Sequence, residues 1–544
     1  MFARIKKSGK YQYLQIVENN KVKGKGKQRV IATVGRLDHL REKGRVETLI
    51  RSLSRYSEKA MLILTGNSDP EAVTIKIGPA LIFERLWERT GIQEAIKALL
   101  KDRNFEFDVE RAIFLTVLHR LMTSGSDRYC DRWRRDYAVP GTEDIDLHHL
   151  YRAMAFLGQP LADQTGASEF APRCNKDLIE EDMFRIRRDL FSGLELVFFD
   201  TTSIYFEGEG GESLGERGFS KDHRPDLKQM VVGVVIDDEG RPICCEMWPG
   251  NTTDVKTLIT ITEQMRQRFH IKRFCIVADR GMIRAGNLQY LEENDIPYIL
   301  GTRMRKDKEV QEFVHNCGGR YKEVHPIGSK AKDPSPLKVK EVRHMVRRYI
   351  VCFNERQAEK DRKTREAIIQ ALEEKIPKGP KALVGNKGYR KYVRIEKDSA
   401  SIDFEKVKAE ARFDGKWVLR TNTDLPTDQV ALKYKERWQV ERVFRDVKTL
   451  LETRPIFHQR NDTIRGHVFS SFLALVLRKE LERHLEKNGH VFEWAPIKQD
   501  LQALQETHIE ENGTKLSIRS QTEGVCGKVF QAVGMVLPPT IREI

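Results

Sequence analysis

Hydrophobic positions change period several times along the chain, and each change marks a candidate boundary. Residues 11–17 and 28–34 alternate around a Gly/Lys-rich turn, which predicts a β-hairpin. From about 79 to 192 apolar residues recur at three and four positions, as in Leu81-Ile82-Phe83-Glu84-Arg85-Leu86-Trp87, which predicts helices. Ser124-Gly125-Ser126-Asp127-Arg128 is a candidate start for another. The period then shortens. Residues 194–206, 230–236 and 243–248 read as three strands, followed by a helix at 254–269, a strand ending at Asp279, a helix at 286–294 and a strand at 298–300. After about 305 the sheet pattern is interrupted by a charged segment with turn signals at Gly318-Gly319 and Asp333-Pro334-Ser335-Pro336. A helix is expected there at 355–375, with short strands at 348–353, 392–396 and 416–420. Helical periodicity returns at 427–452 and 464–487, and the last fifty or so residues carry no clear pattern.

The order β-β-β-α-β-α-β resembles that of an RNase H-like sheet. The expected architecture is α/β: an RNase H-like mixed-sheet catalytic core interrupted by a β-rich insertion, preceded by an N-terminal β-hairpin and a helical region. The boundaries read as 1–78 (basic, β-rich, DNA-binding), 79–192 (helical, DNA-binding or dimer surface) and 193–305 (first part of the core). They continue as 306–425 (insertion), 426–490 (core helices) and 491–544 (C-terminal region).

Charge narrows the partner. Lys and Arg number 95 against 80 Asp and Glu, a net +15, and this excess favours an anionic partner, nucleic acid or a membrane surface. No apolar run approaches the roughly 18 residues of a spanning helix, and MFARIKKSGK lacks the apolar core of a signal peptide. Nucleic acid is the better expectation, with no membrane. The N-terminal hairpin, with ten cations against Glu18 in the first 36 residues, reads either as a DNA-backbone clamp or as a solvated chain end. Eight scattered cysteines form no C-x-x-C pair, and most, lying in apolar stretches, read as small buried residues of a reducing cytoplasm.

Two apolar runs end in an acid, Leu194-Glu195-Leu196-Val197-Phe198-Phe199-Asp200 and Phe274-Cys275-Ile276-Val277-Ala278-Asp279. Carboxylates at the ends of buried strands are costly to desolvate, and a pair of divalent cations acting on phosphate would compensate them. Either acid alone also fits an ordinary solvated strand end. A third acid lies in a basic helical stretch: Tyr434, Arg437, Glu441 and Lys448 are spaced by three, four and seven residues and would share one face of a continuous helix. The stripe reads equally as a salt-bridged amphipathic helix with an i,i+4 Arg–Glu pair.

That spacing, Tyr-x2-Arg-x3-Glu-x6-Lys, resembles the signature of bacterial insertion-sequence DDE transposases. Phe199-Asp200-Thr201-Thr202 and Ala278-Asp279-Arg280-Gly281 are similar to the segments that carry that family's first two acids. Gly218-Phe219-Ser220-Lys221-Asp222-His223-Arg224-Pro225-Asp226, Trp248-Pro249-Gly250-Asn251 and Arg454-Pro455-Ile456-Phe457-His458 also resemble family segments. The resemblance implies a cytoplasmic, nucleoid-associated bacterial enzyme in which Asp200, Asp279 and Glu441 are catalytic and bind two Mg²⁺ or Mn²⁺ ions. It implies double-stranded DNA partners, the terminal inverted repeats and a target, and a homodimer on DNA. Tyr434, Arg437 and Lys448 would hold phosphates, and Trp417 would stack on a flipped base or serve as ordinary strand packing. Lys221, His223, Arg224 and Lys228 would touch DNA or solvate a loop. Asp222 and Asp226 are left out of the metal set, because a charged loop is a poor metal platform. Two other classes compete, an inactive transposase-derived DNA-binding protein and an RNase H-like nuclease without strand transfer. No G-x-x-x-x-G-K-[ST] or G-x-G-x-x-G phosphate loop is present.

Overall fold

The computed structural model describes residues 2–22, 25–42, 45–46, 48–49, 71–165, 167, 171–187, 195–271, 274–282, 285–314, 316–325, 336–345, 347–378, 391–396, 399–436, 438–446, 448, 453–511 and 514–543. Contacts divide the chain into two units, 1–76 with 500–527 and 537–544, and 77–499 with 528–536.

The first unit opens with three antiparallel strands, β1 (Phe2–Ser8), β2 (Tyr11–Val22) and β3 (Lys25–Arg36). The expected hairpin is β2–β3. Strand β1 escapes notice because Phe-Ala-Arg-Ile-Lys-Lys-Ser is mostly polar and six of its seven residues are exposed. The Arg36 guanidinium lies 3.9 Å from the centroid of the Tyr11 ring and pairs with Asp38. Strand β4 (Glu71–Lys76) pairs with Gln505–Glu511, which pairs with Thr514–Arg519 and that with Ile541–Glu543. The unpatterned C-terminal residues thus complete a four-stranded sheet whose other member lies more than 400 residues earlier in the chain.

The second unit is built on a nine-stranded sheet. Its strands are β5 (Glu195–Tyr205), β6 (Gln229–Ile236), β7 (Pro242–Pro249), β8 (Phe274–Ala278), β9 (Tyr298–Gly301), β10 (Lys322–Val324), β11 (Leu337–His344), β12 (Arg347–Phe353) and, after the separate pair β13 (Val393–Glu396) and β14 (Ser399–Ile402), β15 (Lys416–Thr421). The order across the sheet is β10-β11-β12-β15-β9-β8-β5-β6-β7. Strands β5, β6 and β7 form an antiparallel meander, while β8 runs parallel to β5 and β9 parallel to β8. This is the RNase H-like arrangement, with the first strand central and the fourth beside it.

Both faces of the central strands are covered, which is why they read as unbroken apolar runs. On one face Val197, Phe199, Val231, Val235, Ile276 and Ala278 pack with Leu258, Ile261 and Met265 of the Asp254–Gln267 helix and with Leu288 and Leu291 of the Ala285–Glu293 helix. The Asn461–Lys487 helix, buried over most of its length, packs against β7 and against the Leu147–Gly158 helix of the N-terminal helical region. Their crossing brings backbones into contact. A Cβ on Gly466 would sit 1.9 Å from the Met154 carbonyl oxygen, and one on Gly158 2.0 Å from that of Asp462.

The insertion does more than separate two halves of the core. Strands β11, β12 and β15 add to the edge at β9 with Leu419 opposite Gly301, so the core sheet continues into the insertion. The Glu355–Lys375 helix lies where the spacing predicts it. The turn expected at 333–336 lies mostly outside the described residues. Among those residues no helix is long and apolar enough to cross a membrane.

Candidate active site

Strand register places the first two acids. On β5 and β8 Phe198 lies opposite Val277, and continuing the parallel register sets Asp200 opposite Asp279, just past the end of β8. Phe199 and Ala278 point into the core beneath the Asp254–Gln267 helix, so by alternation both carboxylates lie on the other face. Both residues are half-buried. The Thr201 backbone N–H donates to Asp200 Oδ1 at 2.7 Å.

The third acid arrives on a short helix, Trp438–Arg445, which packs against β5 and β6 with Val440 and Val443 fully buried. Glu441, in its first turn, is exposed. A cavity of about 490 Å³ is lined by Asp279, Glu441, Tyr434 and Trp417, together with Arg280, Gly301, Thr302, Val418 and Lys435. Trp417 reaches it from β15, the second strand over from β8.

The continuous helix expected over 427–452 is not formed. Thr427–Lys435 and Trp438–Arg445 are separate helices, and Lys448 lies beyond both. No Gly or Pro occurs between Thr427 and Arg445, so neither residue type accounts for the end of the first helix at Lys435. The first helix carries Tyr434 to Asp279, where its hydroxyl donates to Oδ1 at 3.3 Å, and the second follows the surface of β5 and β6. Tyr434 and Glu441 therefore meet in one cavity without sharing a helical stripe. Arg437 lies outside the described residues.

Lys448 takes a different partner. Its ammonium donates to Asp222 Oδ1 at 2.7 Å, in the loop that follows β5, and Arg454 pairs with the same carboxylate. Burial depresses the Lys448 pKa below its ordinary value despite that pairing. Sequence reasoning passed over Asp222 as a metal ligand and did not see it as the anchor for Lys448. It also missed Gly301, whose signal was its position at the end of the strand after Asp279. A Cβ there would sit 2.3 Å from the Tyr434 hydroxyl oxygen, so the bare backbone gives the tyrosine its path.

Three sets of His, Asp and Glu ligand atoms among the described residues lie within 4.8 Å of one another, and Asp200–Asp279–Glu441 is not one of them. Each of the three is already satisfied. Asp177, Glu180 and Glu246 enclose Lys176 and Arg268, whose cations lie 2.6 to 2.8 Å from their carboxylates. Asp127, His458 and His467 meet Arg120, which donates to His467 Nδ1 at 2.9 Å and so occupies the lone pair a metal would use. Glu106, beside His148 and His149, pairs with Arg152. Asp279 and Glu441 line one cavity, and hard carboxylate oxygens at a cavity wall suit divalent cations that keep waters and phosphate oxygens as ligands.

The sheet is of the RNase H-like kind, with one acid on its central strand, a second at the end of the neighbouring strand and a third on a later helix. Residues 192–477 match the family model of the transposase DDE domain, and residues 3–67 match that of the IS1634 family transposase, N-terminal domain. The first match spans more than half of the chain, and the protein belongs to the insertion-sequence DDE transposases. Such an enzyme acts on DNA, and divalent metal is general in its family. A comparison with curated proteins finds no match.

Proposed function

We propose that Asp200, Asp279 and Glu441 are the catalytic carboxylates with which this transposase cleaves DNA at the terminal inverted repeats of its element and joins the freed 3′ end to a target. The observation that carries the reading is the shared face. Asp200 and Asp279 occupy adjoining positions of neighbouring parallel strands, and Glu441 enters the cavity of Asp279 from a helix laid over that face.

The carboxylates would hold two Mg²⁺ or Mn²⁺ ions, which when bound supply a nucleophile activated at neutral pH and charge neutralisation at the leaving oxygen. The chain's own residues do the rest. Tyr434 holds the Asp279 carboxylate in one orientation through its hydroxyl. Arg280 and Lys435, on the cavity wall, offer cations to the phosphates on either side of the scissile bond. Trp417 offers a flat surface to a base displaced from the end of the duplex. Lys448 reaches a phosphate only by exchanging Asp222 for it, so the pair with Asp222 sets where that cation waits. Arg437, by its place in the family signature, would also hold a phosphate. The work requires two ends held together, and a homodimer on DNA in the bacterial cytoplasm supplies them.

The test is end cleavage by purified Asp200→Asn, Asp279→Asn and Glu441→Gln. Each is expected to bind a repeat-ended duplex as the parent does and to leave it uncut in Mg²⁺. Cleavage at the parental rate by any one of them would remove that residue from the site. Cutting of RNA–DNA hybrids in preference to repeat-ended duplex would favour the nuclease class.

A further inference from the structure

A second cavity, of about 410 Å³, borders the same turn as the acidic one. The acidic cavity takes in Asp279 and Arg280, while the second takes in Gly281 and Arg303, which donates to the carbonyl oxygens of Arg280 and Gly281 at 3.1 Å each. Their chemistry differs. The charged residues lining the second cavity are Lys221 and Arg303, both cations, and its other polar groups include Thr202, Asn251 and Thr252. Over it stands Phe219, which is 83% exposed.

That phenylalanine is held in place. Gly218, just before it, touches the backbone of Gly250, where a Cβ would sit 1.9 Å from the carbonyl oxygen. After it, the Lys221 backbone N–H donates to Ser203 Oγ at 2.8 Å, and its ammonium donates to the Thr201 carbonyl and hydroxyl oxygens at 2.6 and 2.7 Å. Asp222 then binds Lys448 and Arg454. A loop so fastened, with an aromatic ring turned outward beside two cations, has the composition of a single-strand binding platform, a stacking ring with backbone-tracking positive charge.

We propose that this cavity receives the target DNA strand, with a base stacked on Phe219 and its phosphates on Lys221 and Arg303. The proposal rests on the transposase reading above. The acidic cavity already has its own aromatic, Trp417, for the element's end, and strand transfer needs a second strand beside the same acids. The turn from Asp279 to Gly281 contributes to the walls of both cavities, which provides for two strands.

The test uses the full-length protein bound to unlabelled end duplex in metal-free buffer, titrated with a fluorescent duplex of unrelated sequence carrying one mismatched pair. The anisotropy of that duplex reads target capture, and labelled end duplex alone is the reference arm. Phe219→Ala is expected to weaken target capture about tenfold relative to its effect on the reference arm, of the order of one base–aromatic stack. Phe219→Trp should restore it, and Arg303→Ala should weaken it and flatten its salt dependence. Capture within twofold of the parent for Phe219→Ala, an equal loss in both arms, or no capture by the parent would each overturn the proposal. Neither readout involves cleavage, so a failure of the catalytic reading would appear separately, in the acid variants. Phe219 is too exposed for its loss to threaten folding, and a thermal melt verifies this.

Discussion

The Tyr434 hydroxyl donates to Asp279 Oδ1 at 3.3 Å, and it gets there across the bare backbone of Gly301. In continuation of the β8–β9 register, Gly301 lies opposite Asp279, so any side chain at 301 on that face would stand between the two. Orientation of one acid thus depends on a glycine one strand away.

Gly301→Ala is expected to displace Tyr434 and slow end cleavage by roughly tenfold to a hundredfold, the worth of a hydrogen bond to a charged group. Tyr434→Phe removes the atom that the new methyl would strike. The double variant should therefore be no slower than Tyr434→Phe alone. Single-turnover cleavage rates of the three variants check this, and multiplicative losses would contradict it.

The Asp222–Lys448–Arg454 group gives a stability prediction. Both cations meet one carboxylate with a tenth of its surface exposed. Asp222→Ala leaves two partly buried positive charges opposed, and a loss of about 2–3 kcal/mol is expected from the cost of breaking such pairs. Lys448→Met should cost less, because Arg454 still answers Asp222. Urea unfolding of the two variants gives the comparison, and equal losses would show that Arg454 does not share the carboxylate.

Much of this organisation was legible in the sequence, and the gaps have physical causes. The runs ending at Asp200 and Asp279 stand out because their strands are buried on both faces. Strand β1 does not, because most of its residues face water and its pairing with β2 supplies the order. The end of the first helix at Lys435 has no Gly or Pro to signal it, and the hydrogen bond from Tyr434 to Asp279 joins residues 155 positions apart, which periodicity does not reveal. Addition of β11, β12 and β15 to the core sheet was equally hidden, because alternation identifies a strand but not its neighbour. For the same reason Asp222 looked like one more charge in a charged loop.

Acid should weaken the second unit through its buried histidines. Burial pushes His119 down to about 4 and holds His467 well below its usual value, with Arg120 adding to the effect in both. Each is neutral when folded and free to charge when unfolded, so its contribution is complete above about pH 6.5 and is lost as pH falls, for His119 down to about 4. Glu180 acts in the opposite sense. Burial raises it to about 7, so the folded state keeps a proton there and its contribution is lost as pH rises from about 4.5 to 7. The informative measurement is a difference. Between pH 7.5 and 5, parent unfolding free energy should fall more than that of His119→Gln, by up to roughly 2 kcal/mol. Parallel pH profiles would contradict the assignment.

Trp417 on the cavity wall predicts a base-specific effect. Trp417→Ala should slow end processing about tenfold, and Trp417→Phe should recover most of the loss. Placing an abasic nucleotide at successive positions near the end should reveal one position at which parent and Trp417→Ala behave alike. If no position removes the difference, Trp417 serves only to pack β15.

Soaking crystals of the protein bound to end duplex in Mn²⁺ and collecting anomalous diffraction would locate the divalent ions directly. Two peaks bounded by oxygens of Asp200, Asp279 and Glu441, and lost together in Asp279→Asn, are the predicted result. Ordered DNA with Mn²⁺ peaks only elsewhere, or none near these three side chains, would contradict the account.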